Sequence, residues 1–539
     1  MAGEVITAQV RAQSRLVATA LPLAVVSLAL GLRIVRLTSV PNGFFVDEAS
    51  AALDGHAIAH TLHDQHGVFL PAFFEALGAW EGGLHIYWQV PFLALFGLSE
   101  FAVRLASAEA GALTVLLVYL FVSRAYNRRI GLVSAALLAI APWHLIMRAG
   151  WEMFDVPLVT ALFLTLFYKG LADSRWLPLS FACLAVGMYT YVPGRIFFPL
   201  LGLAALLVYA KPLWQRRYAA AIGAIAAVVI LIPTMLAVRQ GIYFVRFDQL
   251  RDQHASLQAE LLYVWTNYVA HFGSSFLFQT STDWITRHYV RGFGMLYLFE
   301  APFVIIGMAV VVLRHSRADL LLSAWLASYP VAAALVGPPI STRSIAGVIA
   351  FQVVAAQGVV AAVESVGWAA HRLRSRALDA VAAQAAALLL LLEVAAGSTA
   401  GFMHAYLVDY PRYSSGWDGW QWGAEPIVAY FEGHRADYDQ ELMNAEFNAP
   451  DELLRYYRLA DHKPCAKCRT TNVSDPADVR RDYSPSQRQL WAVSPSVLRS
   501  SDLRHVPYRV MATLSYPDGQ TAFLFVATGP GAGTANSGF

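Results

Sequence analysis

The sequence predicts a mainly α-helical polytopic membrane protein with a small α/β domain outside the membrane. Three observations predict it. The 539 residues are 57% hydrophobic and 14% charged, with a mean hydropathy of +0.47, a balance that excludes an ordinary soluble domain. Apolar stretches of bilayer-spanning length recur along the first 400 residues, and basic clusters fall in alternate joints between them. From about residue 401 the chain turns polar and rich in Tyr and Trp, with turn signals between short runs. The net charge of +2 gives no electrostatic footprint for nucleic acid, and none is expected as a partner.

Apolar spans are expected near 16–37, 100–122, 130–147, 155–170, 176–192, 195–210, 219–238, 297–313, 320–337, 345–366 and 378–400, about eleven helices in all. Basic residues mark the joints at Arg11/Arg15, Arg124/Arg128/Arg129, Lys169/Arg175, Lys211/Arg216/Arg217, Arg314/Arg317 and Arg372/Arg374/Arg376. By the positive-inside rule these joints and the amino terminus are cytoplasmic. Residues 38–99, 148–154, 192–195, 239–296, 338–344 and 401–539 are then outside. The first span carries Arg33 and Arg36 near its outer end and lacks a small-residue cleavage site, so it reads as a retained helix. The expected division is a membrane domain over 1–400 and an extracytoplasmic α/β domain over 401–539. The outer loops 38–99 and 239–296 are longer than joining helices requires, and loops of that length usually carry function. Aromatic stretches such as Leu84-His85-Ile86-Tyr87-Trp88 suit short helices lying along the interface over a cavity.

In the tail, 420–431 and 450–459 read as helices and 440–447 as a strand. Residues 508–516 and 520–527 read as a hairpin about Pro517-Asp518-Gly519, and 528–539 as a frayed end. Of three cysteines, Cys183 lies in a span as a small core residue. Cys465 and Cys468 form one C-x-x-C with only His462 close by, so a local disulfide is expected rather than a zinc site; a redox role is the alternative.

The residues that suggest chemistry lie on the outer face. Asp47-Glu48 follows the first span, and Glu152 and Asp155 lie in the next short outer segment. Carboxylates grouped there can take a proton from a hydroxyl, orient it or hold a cation. For Glu152 the plainer reading is an ion pair with Arg148, four residues earlier. Outer cations near helix ends are Arg104, Arg148, Arg195, Arg287, His288, Arg291 and Arg343. The guanidinium fork suits phosphate oxygens, and outer arginines run against the positive-inside bias. Arg343 stands out, in the Pro-stiffened loop Pro338-Pro339-Ile340-Ser341-Thr342-Arg343. Any of these arginines can instead meet bulk lipid headgroups. No G-x-x-x-x-G-K-[ST], dinucleotide fingerprint or H-E-x-x-H occurs, which argues against nucleotide-driven chemistry and favours an activated, lipid-linked donor.

An ordered set of motifs resembles a known family. It comprises Asp47-Glu48-Ala49-Ser50, Asp64-Gln65-His66-Gly67, Leu70-Pro71, Phe73-Phe74-Glu75, Pro91-Phe92, Leu95-Phe96-Gly97-Leu98 and Glu100-Phe101-Ala102-Val103-Arg104-Leu105. It continues in Asn127-Arg128-Arg129, Ala141-Pro142-Trp143-His144, Tyr189-Thr190-Tyr191 with Arg195, Tyr297-Leu298-Phe299-Glu300 and Asp409-Tyr410-Pro411. Together these resemble the bacterial family 39-type glycosyltransferases, of the membrane C-type fold shared with protein O-mannosyltransferases and the lipid A aminoarabinose transferase. The resemblance implies transfer of a sugar from a polyprenyl-phosphate donor to an acceptor glycan, lipid or protein on the outer face. It also implies Asp47 as general base and Glu152 as the second acid. Where relatives often read Lys-Pro-Pro-Leu, this chain has Glu81-Gly82-Gly83-Leu84, which passes the phosphate to an arginine and admits a cation bridging Glu81.

The reading is an inverting transferase in which Asp47 accepts the proton. Glu48 and Glu152 orient the acceptor or bind a divalent ion, the only cofactor considered. Arg343, with Arg195, Arg291 or Arg104, neutralises the lipid phosphate. Two rivals are a lipid-linked substrate flippase, which calls for mid-span charges and inverted repeats, and a non-catalytic membrane anchor for the tail.

Overall fold

The computed structural model describes residues 19–150, 152–251, 256–279, 285–374, 377–460 and 467–531. Helix α1 (Thr19–Ile34) leads into the segment 38–99, which is built from helix α2 (Val46–Thr61), the hairpin of β1 (Phe73–Ala76) and β2 (Ala79–Gly82), and helix α3 (Leu84–Phe96). Short helices of the kind expected for this loop are therefore present, joined by a hairpin that hydropathy does not reveal.

Each apolar segment expected to span is helical over most of its length. Among the described residues five helices are long and apolar enough to cross a membrane: Glu100–Ala125 (α4), Glu152–Ala172, Arg217–Arg239, Ile345–Leu373 and Leu378–Tyr413. A sixth is added if Arg128–Ile140 and Pro142–Arg148, bent by 59° at Ala141-Pro142, form one span. The bend follows from chemistry, since Pro142 has no N–H to continue the ladder and starts a new helix. Helix caps set other boundaries: Ser99 accepts from the Ala102 N–H, Asn127 from Ile130 and Ser316 from Asp319. Arg217–Arg239 turns Ile222, Ile225, Val228 and Val229 outward, each more than half exposed, a face only lipid would satisfy. The chain is a multi-pass membrane protein.

The last long helix runs beyond residue 400 to Tyr413. The tail then forms a five-stranded sheet of order β4-β3-β5-β7-β6. Its strands are β3 (Gln440–Asn444), β4 (Cys468–Thr471), β5 (Gln489–Val493), β6 (Tyr508–Ser515) and β7 (Thr521–Thr528). β3 is parallel to β4 and β5, while β7 is antiparallel to β5 and β6. The expected hairpin is β6–β7, and the expected helices are Ala424–His434 and Pro450–Ala460. The first of these starts four residues late because Gly423, at φ +137°, turns the chain before it. Strands β4 and β5 are additions to the sequence reading. Cys468 is disulfide-bonded, whereas Cys465 lies outside the described residues; Cys183 is a free, buried core thiol.

Helix Pro450–Ala460 seats the tail on α2. The Phe44 and Tyr456 rings lie 4.6 Å apart, the Tyr457 hydroxyl donates to Glu100 Oε1 at 2.8 Å, and Arg455 donates to Gln65 Oε1 at 2.8 Å.

Candidate active site

Asp47 and Glu48 occupy the first turn of α2, and successive helical residues point about 100° apart. They therefore serve different surroundings. Glu48 turns inward, fully buried, and meets Arg104 in a two-point ion pair, with Nε–Oε1 at 2.9 Å and Nη2–Oε2 at 3.0 Å. It also accepts the N–H groups of Phe45 at 3.1 Å and Gly150 at 2.9 Å. Arg104 donates further to the carbonyls of Pro41 at 2.9 Å and Gly43 at 2.5 Å. Both groups are saturated, and neither lines a cavity.

Asp47 turns the other way, into a cavity of about 150 Å³. Glu81, His85, Glu152, Tyr191, Arg246, Arg287, His288, Thr342 and Arg343 share its lining. Burial lifts the Asp47 carboxyl above its ordinary range; the charges of Arg287 and Arg246 oppose that rise and Glu48 adds to it. Burial, then the charges of Glu152, Asp47 and Asp54, hold Glu81 well above the usual carboxylate range.

Distant elements place each wall. Arg343 is held by its loop: the Trp143 indole donates to the Ser341 carbonyl at 2.7 Å, and the Ser341 hydroxyl donates to the His288 carbonyl at 2.5 Å. Arg287 lies 4.3 Å over the Phe45 ring and donates to the Gly419 carbonyl at 3.3 Å, tying the tail to the cavity rim. Glu81 ends the β-hairpin. Gly82 beside it has no room for a side chain, since a Cβ there would sit 2.1 Å from the Tyr189 carbonyl oxygen.

Of the residues singled out in the sequence, Asp47, Glu81, Glu152, Arg287, His288 and Arg343 come together in this cavity, and Glu48, Arg104, Arg148, Asp155, Arg195 and Arg291 stand outside it. Arg195 donates to the carbonyls of Trp80 and Tyr243 and lies 4.4 Å over the Tyr243 ring, so it fastens β2 to the second outer segment. Arg291 stacks at 4.1 Å on Tyr413. Glu152 does not pair with Arg148, which donates to the carbonyls of Arg33, Val35 and Val40. Arg246 and His85 join the site. A histidine in the apolar run 84–96 reads as core, and only the gathering of Glu81 and Glu152 around it changes that reading.

Glu81, His85 and Glu152 each offer one ligand atom, all within 4.8 Å of one another. Glu81 Oε1, His85 Nδ1 and Glu152 Oε2 are buried and accept or donate no hydrogen bond among the described residues. Unsatisfied carboxylate oxygens of Glu81 and Glu152 beside the His85 ring fit a divalent cation.

Residues 84–236 match the family model described as dolichyl-phosphate-mannose-protein mannosyltransferase. No curated protein sequence matches. Among solved structures, ArnT from Cupriavidus metallidurans bound to undecaprenyl phosphate is similar at TM-score 0.57 and 15% identity, over 95% of this chain and 99% of that one. An Archaeoglobus fulgidus oligosaccharyltransferase, tethered with an acceptor peptide containing the NVT sequon, is similar at TM-score 0.51 and 12% identity, over 94% and 74%. Its apo form gives 0.50 and 12% over the same shares. At these identities the likeness is one of fold, and the fold is that of the membrane C-type glycosyltransferases. The stretch that matches the family model runs over α3, α4 and the helices up to Thr234-Met235-Leu236.

Proposed function

We propose that the chain transfers a sugar from a polyprenyl-phosphate donor to a hydroxyl or amine acceptor on the extracytoplasmic face, with inversion at the anomeric carbon. One observation carries this reading: Asp47, Glu152 and three arginines, drawn from the outer segments 38–99, 148–154, 239–296 and 338–344, line a single cavity. Asp47 takes the acceptor proton as the acceptor heteroatom bonds to the anomeric carbon. The bond from that carbon to the phosphate oxygen breaks, its electron pair stays on oxygen, and polyprenyl phosphate leaves. Arg343, Arg246 and Arg287 offset the phosphate charge, as fixed donors do where charge develops. Burial raises the Asp47 pKa, and the charges of Arg287 and Arg246 favour the carboxylate form that this step uses. Glu81, His85 and Glu152 would hold a divalent cation, which when bound supplies Lewis-acid polarisation of phosphate oxygens.

The polyprenyl chain lies in an apolar groove of about 420 Å³, between Phe181, Leu184, Met188, Phe198, Leu206 and Leu231. That groove adjoins the polar cavity: Met188 and Phe198 line the groove, while Tyr191 and Ile196 line the cavity. The tail, 401–539, acts as the outer unit, with Gly419 at the cavity rim, and recognises the acceptor or caps the cavity. The amino terminus is cytoplasmic. Impermeant labelling of a cysteine introduced at Asp418 would mark the outside of intact cells; labelling only after lysis would reverse the topology.

Asp47→Asn tests the chemistry, since Asn keeps the shape but cannot take a proton. Transfer from the true donor should fall roughly 10²–10⁴-fold, the usual range for a general base, with the protein folded in the membrane. Wild-type turnover would remove Asp47 from the role.

A further inference from the structure

Resting on that reading, we infer that the cation site is built for a transition ion such as Zn²⁺, Mn²⁺ or Co²⁺ rather than Mg²⁺ or Ca²⁺, with Asp155 as the positioning residue that orients its histidine. Three observations carry it.

His85 is 1% exposed, on α3, and its two ring nitrogens face different partners. Nε2 lies 3.7 Å from Glu81 Oε1, on the side of the cavity. That spacing is near the roughly 3.3 Å ligand–ligand edge of a tetrahedron with metal–ligand distances of about 2.0–2.1 Å. Nδ1 lies 4.0 Å from Asp155 Oδ2 on the opposite side. This is the arrangement in which a ligating histidine donates its other N–H to a carboxylate, which fixes the tautomer and strengthens the bound nitrogen.

Asp155 faces His85 twice, its carboxylate lying near the His85 backbone N–H as well as the ring. It is fully buried, does not line the cavity, and neither oxygen makes a hydrogen bond of ordinary geometry among the described residues. A buried carboxylate so sparsely hydrogen-bonded is costly, and here it stands beside one ring nitrogen. A small shift of either side chain closes the 4.0 Å gap to a hydrogen bond.

The donor set then selects the ion. Magnesium and calcium take oxygen ligands, whereas imidazole suits zinc and other first-row ions. Two carboxylates and a neutral imidazole supply the charge and the nitrogen for such an ion. They leave positions open for water or phosphate oxygen, as non-structural sites do.

The test uses the full chain in lipid nanodiscs, stripped with a chelator, with no donor present. A His60→Gln background breaks up the pair of half-buried His56 and exposed His60, whose rings lie 4.3 Å apart and which offers a competing site. Zn²⁺, Co²⁺ and Mg²⁺ are titrated separately, and Mn²⁺-loaded protein is examined by pulsed electron paramagnetic resonance. We expect one tight Zn²⁺ or Co²⁺ per chain, bound at least about 100-fold more tightly than Mg²⁺, and a nitrogen coupling on Mn²⁺. His85→Gln should abolish both the preference and the coupling. Asp155→Asn should keep the coupling and weaken Zn²⁺ and Co²⁺ by roughly 10–100-fold. Equal affinity for Mg²⁺ and Zn²⁺, or absence of nitrogen coupling in the unvaried site, would overturn the inference without depending on whether a variant folds. An imidazolium that merely bridges Glu81 and Asp155 gives that second result. Transfer that persists in a chain shown to lack nitrogen coupling would sink this inference and keep the transferase reading. A nitrogen-ligated ion in a chain inactive with every donor would do the reverse.

Discussion

Two clusters of carboxylates and arginines sit a few residues apart and differ in one respect. Around Glu48 and Arg104 every charge is matched: four donor contacts reach the carboxylate, and the guanidinium is shared with backbone carbonyls. Around Asp47 the acids and arginines face open space, and Glu81, His85 and Glu152 retain buried polar atoms without hydrogen bonds. A saturated buried ion pair holds chain segments in register, whereas an unsatisfied set is poised to bind something. Adjacent residues of one acidic pair thus divide structure from chemistry, because a single helical step of about 100° aims them at different neighbours.

Substitutions can break or sharpen that contrast. The largest effect on turnover is expected for Asp47→Asn, with thermal stability close to that of the parent. Glu48→Gln should do the opposite and lower stability by about 3–5 kcal/mol, since it leaves Arg104 buried without its counter-charge. Unfolding in detergent, followed by tryptophan fluorescence, reads this directly; a Glu48→Gln protein as stable as the parent but inactive would return Glu48 to the chemistry. Smaller effects should separate the arginines. Arg343→Ala should slow transfer by about 10²–10³-fold, the scale for losing one donor that stabilises developing charge. Arg291→Ala, on an exposed guanidinium stacked on Tyr413, should change turnover by less than about threefold. Equal losses at the two positions would show that the cavity does not define the phosphate site.

Much of the frame was legible in the sequence. Helix positions follow from apolar length and from capping residues such as Ser99 and Asn127, and the tail hairpin from Pro517-Asp518-Gly519. Asp47, Glu152 and Arg343 were legible as outer-face charges beside helix ends, and the cavity gathers them. Pairing across long sequence separations was not. Nothing local says that Glu48 meets Arg104, 56 residues on, or that Arg195 is spent on the carbonyls of Trp80 and Tyr243. Strand β5, Gln489–Val493, is buried at every position and lacks the alternation that marks a half-exposed strand. β4 is a four-residue edge strand with a polar sequence. His85 shows the same limit at the site, because its meaning depends on Glu81 in a hairpin and Glu152 beyond another helix.

The central claim is that the cavity beside Asp47 receives the donor phosphate. Electron cryomicroscopy of the chain with polyprenyl phosphate tests it most directly. The account predicts phosphate density within hydrogen-bond reach of Arg343 and at least one of Arg246 and Arg287, on the side facing Glu81 and Glu152, with the lipid running toward Met188 and Phe198. Phosphate bound instead beside Arg195 or Arg291, with the Asp47 cavity empty, would contradict it.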